Sequence, residues 1–371
     1  MTGRTLRWLV AGFLASGGAG LLTLTATMNA GFAYGSDESA IMGGTFDPDP
    51  DLGYLHSVSD LYINPPPSGA AIFSGQPTYP GYTPNQLYTP EQFWPVSGPS
   101  DLTFDQSVAQ GVGLLDNAIK NTYAADNLVV FGYSQSATIA TNEMRDLMAS
   151  GYEPAPGTQL SFVLIGDPNN PDGGILERFN GLYIPGLDVS FNGATPPDTP
   201  YPTDIYSIQY DGIADAPQFP VNPVSDANAI AGYSEVHGTY PNLTPAELGT
   251  AEQLPTSPGY YPDGLTHYYM IPTQDLPLLD PLRDYLPVVG NPLADLSQPD
   301  LRVLVDLAYG DGYANVPTTA GLLPLFNPVV VGIDLAKGAE LASWPRWWTS
   351  ASCRNPTCRI PTRTCPTPTR G

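Results

Sequence analysis

Residues 127–137 read NLVVFGYSQSA, an apolar run that halts at a glycine, a serine and a glutamine. The residues that follow, TIATNEMRDLMA over 138–149, predict a helix. A strand that turns sharply into a helix, with Ser134 at the bend, is the geometry of a nucleophile elbow. The tight turn lifts a hydroxyl above the rim of a sheet, and small residues at Gly132 and Ser136 let strand and helix approach. The pattern is Gly-x-Ser-x-Ser, not the commoner Gly-x-Ser-x-Gly, so its weight comes from the strand before it and the helix after it. An ordinary βα turn with a surface serine is the plainer alternative.

The flanking chain supports a layered α/β architecture. Residues 39–42 (SAIM) lead into Gly43-Gly44-Thr45 and predict a first strand ending in a glycine turn. Residues 160–165 (LSFVLI) and 204–210 (DIYSIQY) are further strand-like runs, each stopped by an Asp-containing turn. Ahead of the elbow, Phe104, Val108, Val112, Leu115 and Ile119 recur at helical spacing across 104–123. Strands of this kind alternating with helices imply an α/β-hydrolase fold, a mainly parallel central sheet with helices on both faces. The domain is expected over 37–345. Residues 47–100, rich in Pro, Tyr and Gly, predict long ordered loops with a short strand near 61–63. Residues 169–203 are expected to lie over the site as a lid or substrate wall. Residues from about 241 to 341, with a helical 301–310, are expected to form a C-terminal extension packed on the sheet.

Composition narrows the function. The chain has 371 residues, enough for a sizeable core, and a net charge of −23. Seven arginines lie near the two ends, which leaves six basic residues against all 36 acids between Asp37 and Glu340. A body this acidic repels phosphate backbones, so nucleic acid is not expected as a partner. Arg4 and Arg7 precede an uncharged stretch that runs to Ser36, with small residues at 30–33, as in a secretory signal. The 21 residues of 8–28 would equally span a bilayer as a retained anchor. Residues 1–36 are therefore expected to be a signal peptide or membrane anchor, and the body to be exported. All three cysteines, Cys353, Cys358 and Cys365, fall in an Arg/Pro/Thr-rich tail over 346–371, expected to be disordered. Their spacing fits no zinc pattern, and three scattered histidines make no ligand cluster, so neither metal nor cofactor is expected.

A serine hydroxyl needs a base, and the base needs a carboxylate to orient it. His56 precedes the elbow, against the Ser–acid–His order of the fold, and is expected to be structural or superficial. His237, in the glycine-flanked GYSEVHGTY, is favoured over His267, which opens a predicted strand in GLTHYYMIP. The acid belongs after a strand: Asp167, Asp211 and Asp215 all qualify. Asp215, which follows the turn in YDGIADAP and precedes a small residue and a proline, is favoured, with Asp211 the alternative. Two donors should face the developing oxyanion. The backbone N–H of Gln135 is one, and the glycine turn at 43–45 supplies the other, with Thr45 able to add its hydroxyl.

The segments AIMGGT, TPEQFWPVSG, SVAQGVGLLDNAI, VVFGYSQSATIATNEM, LIGDPNNPDGGILERF, QYDGIADAPQFPVN and IPTQDLPLLDPLR together resemble the PE-PPE C-terminal domain, a serine α/β-hydrolase family of mycobacterial cell envelopes. The resemblance runs from about residue 39 to 341. Gly132, Ser134 and Ser136 match the family's elbow, and the glutamine after the serine resembles the cutinase GYSQG. The cutinase H-x-x-Tyr resembles His237-Gly-Thr-Tyr240. The hydrophobic N-terminal segment stands where other members carry a PE or PPE module, which resembles anchored members implicated in acyl transfer onto trehalose glycolipids. The resemblance implies an exported esterase or acyltransferase whose substrates are acyl lipids and, as acceptor, water, trehalose or another sugar, with membrane or envelope association. The alternative is a non-catalytic lipid-binding protein on the same scaffold.

Overall fold

Strands buried on both faces need apolar residues at successive positions, and the central strands supply them. The computed structural model describes residues 35–286, 288–324 and 326–342. The signal or anchor expected over 1–36 lies outside these but for its last two residues, and the expected disordered tail at 346–371 lies wholly outside them. The strands are β1 (Asp37–Ile41), β2 (Thr83–Gln86), β3 (Asn127–Tyr133), β4 (Leu160–Ile165), a hairpin of β5 (Tyr183–Ile184) and β6 (Val189–Ser190), then β7 (Thr203–Ile208), β8 (Glu252–Gln253) and β9 (Thr266–Ile271). Seven form one sheet in the order β2-β1-β3-β4-β7-β9-β8, parallel except for the short edge strand β8.

Alternate residues of each strand enter opposite cores. On one face Ala40, Leu128, Val130, Phe162 and Leu164 pack with Leu115, Ile139 and Leu147 of helices α2 (Phe104–Asn117) and α3 (Gln135–Ser150). On the other, Ile41, Val129, Phe131, Val163 and Ile165 pack with Leu55 of α1 (Leu52–Val58), with Tyr62 and with Tyr240. The short helices α4 (Ile175–Arg178), α6 (Pro245–Leu248) and α7 (Asp280–Tyr285) and the longer α5 (Pro223–Glu235), α8 (Gly290–Asp306) and α9 (Pro328–Ala342) are the other α-helices of the described residues. The C-terminal extension is fastened beyond β7. Tyr210 donates to Asp306 Oδ1 at 2.6 Å, Asn222 to Leu304 O at 2.7 Å and Ser225 to Val305 O at 2.6 Å.

Two expectations for the proline-rich stretch differ from the structure. Residues Leu61–Ile63 are not a strand; they end a wide helical turn, Ser59–Ile63, that continues α1. All three are buried together, and an apolar run that short carries no period to separate helix from strand. The strand of this region is β2, whose sequence TPNQ is polar and contains a proline. It pairs only with β1, at the sheet edge, where a residue without an N–H is tolerated.

The segment at 169–203 is tied into the body. Asn169 donates to Asn192 Oδ1, Thr195 Oγ1 donates to Asp167 Oδ2, and Arg178 is buried among three acceptors. Its guanidinium reaches Ala216 O at 3.0 Å, Thr318 O at 2.7 Å and Asp172 Oδ1 at 2.9 Å. Arg178→Leu would leave Asp172 and two carbonyls without these donors, and breaking a buried pair from one side costs about 3–5 kcal/mol. A urea midpoint for Arg178→Leu within error of the wild type would mean that the guanidinium does not hold the segment.

Candidate active site

Ser134 occupies the junction of β3 and α3 with φ 56° and ψ −114°, a left-handed conformation that non-glycine residues rarely adopt. Local bonds hold it there. Its N–H donates to Ile165 O of β4 at 3.1 Å. Ser136 Oγ accepts from Tyr133 N–H at 2.8 Å and donates to Tyr133 O at 3.1 Å, which closes the turn. This is a physical role for the second serine of the Gly-x-Ser-x-Ser pattern. Gly132 is required by proximity, since a Cβ there would lie 2.8 Å from Ser136 O and 3.0 Å from Ala137 Cα. Ser134 itself remains partly open to solvent.

His237 opens a 3₁₀ turn, His237–Asn242, directly after α5. Its Nε2 lies 2.8 Å from Ser134 Oγ, and its Nδ1 lies 2.9 and 2.8 Å from the two carboxylate oxygens of Asp211. A carboxylate on Nδ1 places the proton there, which leaves Nε2 to accept from the serine hydroxyl. Asp211 is fully buried, and its oxygens also accept from Ile213 N–H at 2.9 Å and Tyr240 O–H at 2.8 Å. Burial, and then the charge of Asp211, push the phenols of Tyr240 and Tyr133 up, so both act as donors. Tyr133 donates to His237 O at 2.5 Å. Gly166, at the end of β4 with φ +55°, sits so close that a Cβ would meet His237 Cε1 and Tyr240 Cε2 at 3.1 Å.

The favoured acid is thus displaced by its alternative. Asp215 does not meet His237; its Oδ2 accepts from Tyr210 N–H at 2.9 Å, and its own N–H donates to Asp211 O at 2.7 Å. The chain reverses at Tyr210, which has φ +66°, and this turn sends the next residue, Asp211, to the histidine while Asp215 closes the loop. Asp167 serves its own turn: it accepts from Asn169 N–H at 2.9 Å and Thr195 Oγ1 at 2.7 Å, and burial raises it to about 6. His267 lies near the N-terminal end of β9, opposite to the rim that carries Ser134, with its Nδ1 3.0 Å from Asp204 Oδ1. His56 is exposed on α1.

Gln135 and Thr45 come together through a side chain. Gln135 Nε2 donates to Thr45 Oγ1 at 3.1 Å and to Gln92 O at 3.0 Å, while its Oε1 accepts from Ser107 Oγ at 2.7 Å. As the first residue of α3, Gln135 has a backbone N–H with no acceptor inside the helix. The turn that presents Thr45 is closed by Asp47 N–H to Gly44 O at 2.9 Å. Ser107 and Gln92 were not legible as part of this cluster, because nothing in sequence spacing links a helix position to a loop amide. Among the described residues no group of three or more His, Cys, Asp or Glu could hold a metal, and no helix is long and apolar enough to cross a membrane.

A parallel sheet with an elbow serine, a histidine and a carboxylate in one hydrogen-bonded chain at its C-terminal rim defines an α/β-hydrolase scaffold. The chain belongs to the PE-PPE domain family, whose model matches residues 80–310, a span that holds Ser134, Asp211 and His237. It is 53% identical over 301 residues to PE family protein PE3 of Mycobacterium tuberculosis, covering 80% of this chain and 60% of that protein. It is 46% identical to Esterase PE16 of the same organism, covering 84% of this chain and 56% of that protein. With SL1278 acyltransferase Chp1, also of Mycobacterium tuberculosis, it shares 32% identity over 80% of this chain and 69% of that protein. The chain thus spans less than two thirds of the length of PE3 and Esterase PE16. Of solved structures, a cutinase-like protein from Cryptococcus sp. aligns at a TM-score of 0.28 and 17% identity over 48% of this chain and 80% of that one, a likeness too slight to bear on mechanism.

Tyr240 joins the site to the sheet, since its hydroxyl accepts from Ile208 N–H at 2.8 Å while donating to Asp211. Tyr240→Phe would leave that buried N–H unsatisfied and remove one donor from the carboxylate. The expected loss is about 1–3 kcal/mol in stability, read as a lower urea midpoint at unchanged m-value; no shift would mean that the hydroxyl is dispensable.

Proposed function

We propose that this chain is a serine esterase or acyltransferase acting on fatty acyl esters of envelope lipids, with Ser134 as nucleophile, His237 as general base and acid, and Asp211 as the carboxylate that holds the imidazolium. The observation that carries the reading is the continuous Asp211–His237–Ser134 chain, with both links at 2.8 Å. In the first half-reaction Ser134 Oγ attacks the acyl carbon as its proton passes to His237 Nε2, and the negative charge gathers on the former carbonyl oxygen. The backbone N–H of Gln135 and the Gly43–Thr45 turn would receive that charge. The proton then leaves with the departing alcohol, and the acyl group stays on Ser134. In the second half-reaction water or a sugar hydroxyl gives its proton to Nε2 and takes the acyl group, and Nε2 passes that proton to Ser134 Oγ as the acyl–serine bond breaks.

Two relatives support the chemistry by their names: Esterase PE16, and Diacyltrehalose acyltransferase Chp2 of Mycobacterium tuberculosis at 28% identity over 66% of this chain. By extension we propose trehalose or a related sugar as the acceptor in the transfer reaction. Export, with the body on the outer side of the membrane, is proposed from Arg4, Arg7 and the apolar run after them.

A fluorophosphonate probe is expected to label Ser134 in the folded protein and to leave Ser134→Ala unlabelled. Asp211→Asn should lower kcat on a p-nitrophenyl acyl ester by about 10⁴-fold, as loss of the orienting carboxylate does in triad enzymes. Asp215→Asn, which keeps an acceptor for Tyr210 N–H, should retain most of the rate. Equal losses in the two variants would remove Asp211 from the triad. Chromatography of the products with and without added trehalose separates hydrolysis from transfer.

A further inference from the structure

Glu91 is an acid that the proposed reaction does not use, and it is 1% exposed beside the Gly43–Asp47 turn. Its backbone carbonyl accepts the N–H of Phe46 at 3.0 Å. Both residues of that bond have left-handed backbones, φ +50° at Glu91 and +78° at Phe46, so two strained positions are joined across the turn. The carboxyl accepts from Thr89 Oγ1 at 2.7 Å through Oε1, while Oε2 is buried with no partner. The next residue, Gln92, holds the elbow: its carbonyl takes Gln135 Nε2 at 3.0 Å, and its N–H donates to Ser107 Oγ at 3.0 Å. Ser107 in turn donates to Gln135 Oε1, and Gln135 reaches Thr45. Residues 89–92 therefore bind the glycine turn and the first residue of α3 into one unit.

The groups that act on the carboxyl from the packed elements are Thr89 in its own strap, Asp47 in the turn and Tyr54 on α1. An ionised Glu91 would leave one buried oxygen without a donor and would face the charge of Asp47. The neutral acid removes the repulsion from Asp47 and makes the unpartnered oxygen less costly to bury. Burial, opposed by the Thr89 bond and reinforced by Asp47, raises this carboxyl to about 8.

We propose that Glu91 is a positioning residue for the oxyanion site: its buried side chain, bonded to Thr89, anchors residues 89–92, whose backbone holds Phe46 of the glycine turn and Gln135 of α3 in place. Ionisation of the acid loosens the turn. The proposal rests on the reading of Ser134 as nucleophile.

The test compares Glu91→Gln and Glu91→Ala with the wild type on a p-nitrophenyl acyl ester across pH 6–10. Glu91→Ala is expected to lose about 10-fold or more in kcat, less than the roughly 10²–10³-fold lost when an oxyanion donor is removed outright, with little change in KM. Glu91→Gln, which keeps the shape and stays neutral, is expected to restore the rate at pH 7 and to lack the fall in kcat that the wild type shows as pH rises through about 8. Wild-type kcat in Glu91→Ala, or an alkaline fall that persists in Glu91→Gln, overturns the proposal; if Glu91→Ala does not fold, Glu91→Gln decides alone.

Thermal melting gives a readout independent of activity. The folded value is raised above the ordinary 4.5, so the folded protein keeps a proton that the unfolded chain releases. Wild-type stability relative to Glu91→Gln should therefore fall as pH rises from about 4.5 to about 8 and then level off. A flat difference across that range overturns the neutral acid. Should Ser134→Ala hydrolyse the ester at the wild-type rate, the nucleophile reading fails instead, and the melting comparison still decides whether Glu91 is held neutral.

Discussion

The left-handed backbone of Ser134 is the constraint on which the site depends. Such a conformation costs of order 1–3 kcal/mol in a non-glycine residue and persists only where its surroundings over-determine it. At this elbow the surroundings are specific. Ser136 clamps Tyr133 on both its N–H and its carbonyl, Gly132 lets α3 approach β3, and the serine N–H is held by the neighbouring strand. The parallel registers of β3 on β4 and β4 on β7 bring the ends of all three strands to one rim. Ser134, Gly166 and Asp211 follow those strands, so the sheet sets the spacing between the elbow serine and the carboxylate.

With only six cations, the acidic body pairs few of its buried carboxylates with opposite charge, Asp172 with Arg178 among them. It uses hydrogen bonds and proton retention instead. Asp167 and Glu91 are both raised by burial, to about 6 and about 8, and each leans on a threonine hydroxyl. Glu143, also raised to about 8 mainly by burial, has two buried oxygens without partners. Asp211 is equally buried but receives an imidazole, a phenol and a backbone N–H. Glu91 and Glu143, with one donor and none, keep their protons near pH 7, whereas the three donors around Asp211 suit it to an imidazolium partner.

The central strands were legible because burial on both faces writes an uninterrupted apolar run: LSFVLI is β4 residue for residue, and NLVVF opens β3. The edge strand β2 was not, since an edge needs neither apolar residues nor every N–H, and TPNQ has neither. Leu61–Ile63 misled for the opposite reason, as three buried apolar residues in a row fit a helical turn as well as a strand. In the candidate site, chain order removed His56, and the glycine-flanked loop around His237 favoured it over His267 at a strand start. The choice between Asp211 and Asp215 turned on the backbone angle of Tyr210, which no residue pattern announces, because a tyrosine with positive φ is held there by its fold.

The amino-acid order by itself determined the alternation of buried strands and helices, the elbow at residues 132–136 and the short roster of groups able to serve it. Those features are local, written in side-chain period and turn composition. Tertiary structure alone decided which carboxylate meets the imidazole, and that Glu91, Ser107 and Gln92 gather around Gln135 and the glycine turn. These contacts join residues far apart in the chain, and their partners are chosen by the register of parallel strands and by which buried donors remain free once the core has closed.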